Sequence, residues 1–380
     1  MANQFLTPQV IGREAVRVLI NKMPLLALCY RDYEAEYRAA KIGDTIQIRT
    51  PASLISKEFN PVTGIEIQDI KQGNTQLVLE KHKDVSVQVS SKDLTLSLND
   101  FSTHVVEPAM VALAEDAESY IASKAVGIPN MIGTAFPTTL GNVAMIDAYL
   151  DVLKVPAENR WGVLSSMRKA SMLSIDKITT ADVRGDNDAI INAQIGRILG
   201  VNYLSSPLIQ RQTAGTLSTT ALLVNGALVA GATTGAFDAA AVTGGVVPGN
   251  TFTITGVTLQ DGVTPMNFVV TAVAAAAGNA ITVNFLPALP VAVADNVATT
   301  WNIAAHAMNI VGDFKGIAFA SIPLDAPLGN SAQSEIINYR GISVRVVMDY
   351  DHTYKQNKIS FDMLMGAKVI DPRILARIPG

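Results

Sequence analysis

The residues whose types could do chemistry are few: His82, His104, His306, His352, Cys29, the pair Ser165-Ser166, and the acids Asp349, Asp351 and Asp362. No histidine lies in a His-Glu-x-x-His pattern, which would set two imidazoles and a base on one helix face. His104 and Glu107 fall one helical turn apart, the spacing of an ion pair. For each histidine a structural role is the expectation, because catalysis needs convergent partners. Ser165-Ser166 follows a strand and precedes a helix, but the Gly-x-Ser-x-Gly frame of a nucleophile elbow is missing. Gly244-Gly245 opens no helix and carries no Lys-Ser/Thr, so it reads as a turn rather than a phosphate loop. Asp349 and Asp351 flank Tyr350 at a strand end, with Asp362 beyond. A divalent cation would accept such oxygens, yet the loop DYDHTYKQNK lacks calcium-loop spacing, and turn acids are the simpler reading.

One cysteine in 380 residues excludes an intrachain disulfide and any multi-thiolate zinc site. Cys29 between Leu28 and Tyr30 reads as a small core residue, compatible with a reducing compartment. There are 29 basic and 33 acidic residues, a net charge of −4. That balance lacks the basic surface that phosphate neutralisation or an anionic membrane requires. Mean hydropathy is +0.28, yet Gly, Pro, Thr or Asn interrupts every apolar run before it reaches spanning length. The opening MANQFLTPQVIGREAVR shows no signal-peptide pattern. No cofactor or metal is expected, and no catalytic residue is assigned.

The elements that would carry these residues are mixed. Thr7-Pro8 reads as a helix start, and Ile11, Ala15, Val18 and Lys22 share one face, which predicts an amphipathic N-terminal helix. GDTIQIRT at 43–50 alternates as a strand ended by Pro51. Residues 52–75 are polar and charged, with Lys57, Glu58 and Lys71 among them. Strand character returns at Leu77-Val78-Leu79 and runs on through Val85, Val87 and Val89. This predicts a long projecting β-hairpin over about 43–90. Leu94, Leu96 and Leu98 alternate again, and Asn99-Asp100 then caps a long helix reaching Val126. Pro108 must kink or restart that helix. A second helix spans 142–155, a buried strand 161–164 and a short helix 166–173. Strands follow near 195–204 and at 317–322, and a hairpin joins 342–348 to 359–363. With helices and strands in blocks and no βαβ rhythm, the fold class is α+β.

One segment stands apart. From Gln212 to Phe314 there is no Lys and no Arg, and the acids are Asp238, Asp261, Asp295 and Asp313. Outside it the charges balance at 29 against 29, because all 29 basic residues and 33 minus 4 acids lie there. Strands are predicted at 251–257, 267–273 and 281–285, separated by Gly262 and Gly278. This reads as an inserted all-β module whose uncharged surface suits protein contacts, since interface cores are depleted in charge. A Thr-rich solvated barrel is the other reading of the same composition.

The order of these elements, carried by LTPQVIGREAVRVL, RDYEAEYRAAKIGDTIQIRTPA, SSKDLTLSLNDFSTHVVEPAMVALA and GISVRVVMDYDHTYKQNKISFDMLMGAKVIDPRILARI, resembles the HK97-like fold of tailed-bacteriophage major capsid proteins. More narrowly it looks like the coat-protein branch of Salmonella phage P-twenty-two, which carries an inserted β-barrel. The resemblance implies an N-terminal arm (1–30), an extended hairpin loop with peripheral-domain strands (31–98), and a spine helix with its connection (99–140). It further implies a first axial part (141–211), an inserted barrel (212–314), and an axial return with a closing peripheral hairpin (315–380). It implies a structural shell protein and no enzyme. The shell would be an icosahedral virion head of hexamers and pentamers, built in the host bacterial cytoplasm with a scaffolding protein and a portal, enclosing double-stranded DNA without membrane. Subunit contacts are expected at Arg13, Arg17, Lys22, Arg49, Lys57, Glu58, Lys71 and Asp261. The insert departs from its relatives in having no basic residue to supply to such contacts. No Lys–Asn crosslink is expected through Lys57 or Lys71, because the branch resembled does not crosslink. The rival expectations are an encapsulin-like compartment, which shares the fold, and a serine hydrolase using Ser165 or Ser166.

Overall fold

A computed structural model describes residues 24–31, 45–50, 59, 61, 73–90, 105–179, 192–193, 195–322, 324–325, 327, 333–339, 342–354 and 356–380. The chain divides into two compact units, one drawn from Arg31–Leu113 and Ala318–Ile370, the other from Ile20–Tyr30, Ala114–Ile317 and Asp371–Gly380. The expected helix from Thr7 falls outside the described residues until the short helix Pro24–Leu28. The strand at Leu94–Leu98 and the cap at Asn99-Asp100 fall outside them altogether.

The first unit is built on an antiparallel sheet. The long strand Gln356–Val369 pairs with Ile342–Asp351, which pairs in turn with Gln333–Tyr339. Ile317–Ile322 and Lys81–Ser90 also pair with the long strand. A two-stranded ribbon, Thr45–Thr50 against Gly73–Val78, runs in register from Thr45↔Val78 to Thr50↔Gly73. The hairpin stem expected at 43–50 is therefore present, but its return strand stops at Val78. Val85 and Val87 belong to a separate strand that serves the larger sheet. The alternation runs through 77–89 without a break because Leu79-Glu80, the link between the two strands, contains no turn-forming residue. The stem also packs on its own chain: Ile46, Ile48 and Leu77 are buried with Ala318, Ala320 and Ile322. Gly366 permits this approach, since a Cβ there would come within 2.5 Å of the Val78 carbonyl oxygen.

At Pro108 the chain shows a restart. Val105 and Val106 lie in a wider π turn, and regular helix runs from Glu107 to Ser123. Pro108 then sits in the first turn, where its missing N–H breaks no intrahelical bond.

The second unit contains another sheet, in the order Leu375–Pro379, His306–Gly312, Trp161–Leu164, Val201–Ser205, Gly196–Ile198. Only Trp161–Leu164 and Val201–Ser205 run parallel within it. Helix Leu140–Val152 begins on Thr139, whose Oγ1 accepts from Asn142 N–H. Its Val143, Ile146 and Leu150 pack into a core with Leu164, Tyr203, Val311 and Ile378. The buried Arg160 ties off the far end of this helix: Nη1 meets Asp147, Nη2 meets Asp151, and Nε donates to the Val155 carbonyl.

Within the charge-poor segment, six strands close into a barrel. Around the ring they are Thr251–Thr258, Pro265–Val270, Ala280–Leu286, Thr234–Asp238, Ala221–Val224 and Ala298–Asn302. The interior is aromatic. Phe252 stacks on Trp301 at 4.3 Å between centroids and on Phe268 at 5.3 Å, with Phe237 and Phe285 edge-on. Trp301 Nε1–H donates to Thr299 Oγ1, whose hydroxyl donates to the Leu222 carbonyl, so the indole N–H is satisfied without water. Strand His306–Gly312, also in the charge-poor segment, pairs outside the barrel with Trp161–Leu164 and Leu375–Pro379. The barrel belongs to the same compact unit as that sheet.

Candidate functional site

The residues singled out in the sequence do not converge. Arg13, Arg17, Lys22, Lys57, Glu58, Lys71 and His104 lie outside the described residues. Arg49 stands opposite Asn74 in the hairpin ribbon. Asp261 forms the tip of a barrel turn. One of its oxygens accepts from the N–H groups of Val263 and Thr264, and the other accepts from the Thr264 hydroxyl, which holds the carboxyl below its ordinary pKa. Ser165 precedes helix Ser166–Leu173, and its N–H donates to Asn309 Oδ1. Cys29 is buried and its thiol donates to the Leu25 carbonyl.

Asp349, Asp351 and Asp362 separate in space by function. Asp349 accepts from the Tyr350 N–H, and Asp351 accepts from Thr353 and Tyr354 N–H and pairs with Lys358 at 3.1 Å. These are turn acids. Asp362 instead points to a buried pair, accepting from Arg345 Nε at 3.0 Å, with His82 at 4.0 Å. Asp84 stands directly across the ladder from Asp362, and burial together with their shared hydrogen bond holds the Asp84 carboxyl above its ordinary pKa. Among the described residues, no group of three or more His, Cys, Asp or Glu side chains is placed to hold a metal ion. No helix among them is long and apolar enough to cross a membrane.

The densest polar constellation is one that the sequence motifs did not reveal. It lies where the barrel joins the sheet of the same unit. Arg211-Gln212 pairs with His306-Ala307, so the chain enters and leaves the barrel across one ladder. Gln212 is buried, and its Nε2 donates to the Pro248 and Thr213 carbonyls. Gly249 has φ +92, and a Cβ there would strike Gln212 Oε1 at 2.1 Å, so only glycine fits. Arg377, on strand Leu375–Pro379, is fully buried and donates from Nη2 to the Gly249 carbonyl at 3.0 Å. Burial pulls its pKa down to about 10. His306 Nδ1 bonds the Ala304 carbonyl; burial, with smaller effects of the Arg377 and Arg211 charges, lowers its pKa. On the other side, Asn267 Nδ2 reaches the Met131 carbonyl and Tyr149 Oη, and Asn302 Nδ2 meets Met131 Sδ at 3.0 Å. Isolated His306, Gln212 and Arg377 gave no sequence signal because they are 165 positions apart (377 minus 212) and share no motif.

A second buried acid sits on the long helix. Glu118 is 3 % exposed, and its Oε1 has no hydrogen-bond partner among the described residues. Burial raises its pKa, against the lowering effects of Ser206 and the Leu25 backbone. A carboxyl with a raised folded pKa stabilises fully below its unfolded value, and that contribution is lost as pH rises through the folded value. Glu118→Gln is therefore expected to raise stability at pH 7 and to gain nothing below pH 4. Urea unfolding at both pH values checks this, and a neutral-pH loss of stability would contradict it.

No protein-family model matches the chain, and no curated protein is significantly similar to it. Solved structures are similar. The chain is similar to a structure of Mycobacterium phage Che8, with TM-score 0.52 and 14% identity, covering 94% of this chain and 90% of that one. It is similar to the capsid structure of the Cyanophage P-SCSP1u, with TM-score 0.47 and 10% identity, over 89% and 84% of the two chains. The capsid of Ralstonia phage GP4 gives TM-score 0.46 and 8% identity over 90% and 82%. The first of these shows a fold shared across nearly the whole of both chains.

Proposed function

We propose that this chain is the major capsid protein of a tailed double-stranded DNA phage, a structural subunit that assembles with copies of itself into an icosahedral head. The observation that carries the reading is the fold shared with the Che8 phage structure over 94% of this chain. The element order read from the sequence supports the narrower placement, an HK97-like subunit of the P-twenty-two branch with the barrel as its inserted domain. In this reading one chain fits hexamers and pentamers because its sheets are rigid while the arm and hairpin tip adjust. Arg13, Arg17 and Lys22 meet a neighbour or a scaffolding protein. Arg49, Lys57, Glu58 and Lys71 lie over an adjacent subunit, and Asp261 lies at a contact of the barrel. A portal completes the head, which assembles in the host bacterial cytoplasm.

Expression of the full chain together with its neighbouring genes, followed by negative-stain microscopy, tests this. Closed shells are expected, whereas a chain lacking residues 1–20 is expected to stay folded and unassembled. Monomers alone from the full chain would overturn the function; normal shells from the truncated chain would overturn the role given to the arm.

A further inference from the structure

Arg377 is a buried cation without a counter-charge. It is 0% exposed, and its Nε and Nη1 have no hydrogen-bond partner among the described residues. No acid contributes to the electrostatics of the guanidinium, whose only perturbation is burial. At neutral pH the group stays protonated, and an isolated charge inside a protein costs several kcal/mol unless something neutralises it. Its one side-chain bond goes to the carbonyl of Gly249, the residue before Asn250. Asn250 is also 0% exposed; its Oδ1 accepts from Val247 N–H at 2.9 Å, and its Nδ2 has no partner. The bond to Val247 fixes the orientation of the amide, so Nδ2 presents donors.

Two acceptors nearby are also unpartnered. Gln212 Oε1 lies against the Gly249 backbone, in the space a Cβ would fill, so it faces a C–H group. His306 Nε2 has no partner, and its Nδ1 is spent on Ala304. His306 is within electrostatic reach of Arg377 and Arg211.

We propose that the root of the barrel is a binding site for a small monovalent anion of chloride size, held by Arg377 Nε and Nη1 and by Asn250 Nδ2. Water would satisfy these donors but leave the charge, whereas a halide does both. Because Arg377 and Asn250 are both fully buried, such a site would admit a halide rather than phosphate or a larger carboxylate. The anion also links the site to pH. Neutral His306 offers a lone pair, while protonated His306 offers a fourth donor, so anion and proton bind together and halide affinity rises as pH falls.

The test is thermal unfolding of the full chain in sodium chloride, sodium bromide and sodium gluconate at equal ionic strength, at pH 8 and pH 6. Halides are expected to raise Tm by about 2–4 °C over gluconate at pH 8, and by more at pH 6. Bromide is expected to give an anomalous-scattering peak within hydrogen-bond distance of Arg377. Arg377→Met should abolish the halide difference. Should that variant fail to fold, Asn250→Asp supplies a built-in counter-ion and should show no halide response while keeping its stability in gluconate. Equal Tm in halide and gluconate means water alone fills the site and overturns the proposal. A halide gain that survives in Asn250→Asp overturns it as well.

Discussion

Replacing Phe252 by alanine is expected to cost the barrel about 3–5 kcal/mol. Phe252 is 1% exposed, and its ring touches four others: Phe237, Phe268, Phe285 and Trp301. Removing it deletes the hub of this aromatic cluster and leaves a cavity bounded by strands that are hydrogen-bonded into a closed ring. A closed ring cannot collapse inward as an open sheet edge can, so the cavity stays. Each lost aromatic pair adds about 0.5–1.5 kcal/mol to the area term. Phe252→Leu keeps most of the volume but loses the same four ring pairs, and should cost about 2–3 kcal/mol, less than alanine. Urea unfolding followed by tryptophan fluorescence reads the effect directly, because Trp301 stacks on the substituted ring. A midpoint shift worth less than about 1 kcal/mol for the alanine variant would show that the cluster repacks.

This hub was only half legible in the sequence. The strands expected at 251–257, 267–273 and 281–285 are present as Thr251–Thr258, Pro265–Val270 and Ala280–Leu286, but that Phe252, Phe268 and Phe285 meet inside one ring is seen only in the structure. Ala221–Val224, Thr234–Asp238 and Ala298–Asn302 carry no strand signal of their own. They are four or five residues long, and the last two are rich in Ala, Gly and Thr, so their period is visible only once the ring closes around them. Elsewhere the pattern misled. A single alternating run at 77–89 serves two different sheets, because residue alternation records burial on one face and says nothing of which partner provides it. The three aspartates near 350–362 illustrate the same limit for chemistry. Proximity along a hairpin put them together, but the ladder sets Asp362 opposite Arg345 and Asp349 opposite Lys358, so the acids share a face yet stand too far apart along it to converge, and only Asp362 meets Arg345. The barrel root was invisible for the opposite reason: Gln212, Gly249, Asn250, His306 and Arg377 are assembled entirely by topology.

Excising residues 213–305 and joining Gln212 to His306 through a two-residue Gly-Ser link is expected to leave a foldable chain, whereas excising 212–314 is expected to destroy it. Gln212 and His306 are ladder partners, so their Cα atoms lie about 5 Å apart and a short link closes the gap without strain. The larger deletion removes His306–Gly312, which pairs with Leu375–Pro379 on one side and Trp161–Leu164 on the other. It also removes the buried Met308, Ile310, Val311 and Phe314 from the core. Splitting a sheet through its interior exposes two unpaired strand edges, which favours aggregation. The smaller deletion has its own cost. Met131, Tyr149 and Arg377 lose their barrel partners, but all become hydrated, and for Arg377 hydration relieves a buried charge. Soluble yield, far-UV circular dichroism and the fluorescence of Trp161, then the only tryptophan, distinguish the two chains. The complementary fragment 213–305 contains all six barrel strands and should give dispersed amide resonances on its own. If both deletions aggregate alike while the fragment is disordered, the barrel and the sheet form one cooperative core, and the reading of the barrel as an inserted domain fails.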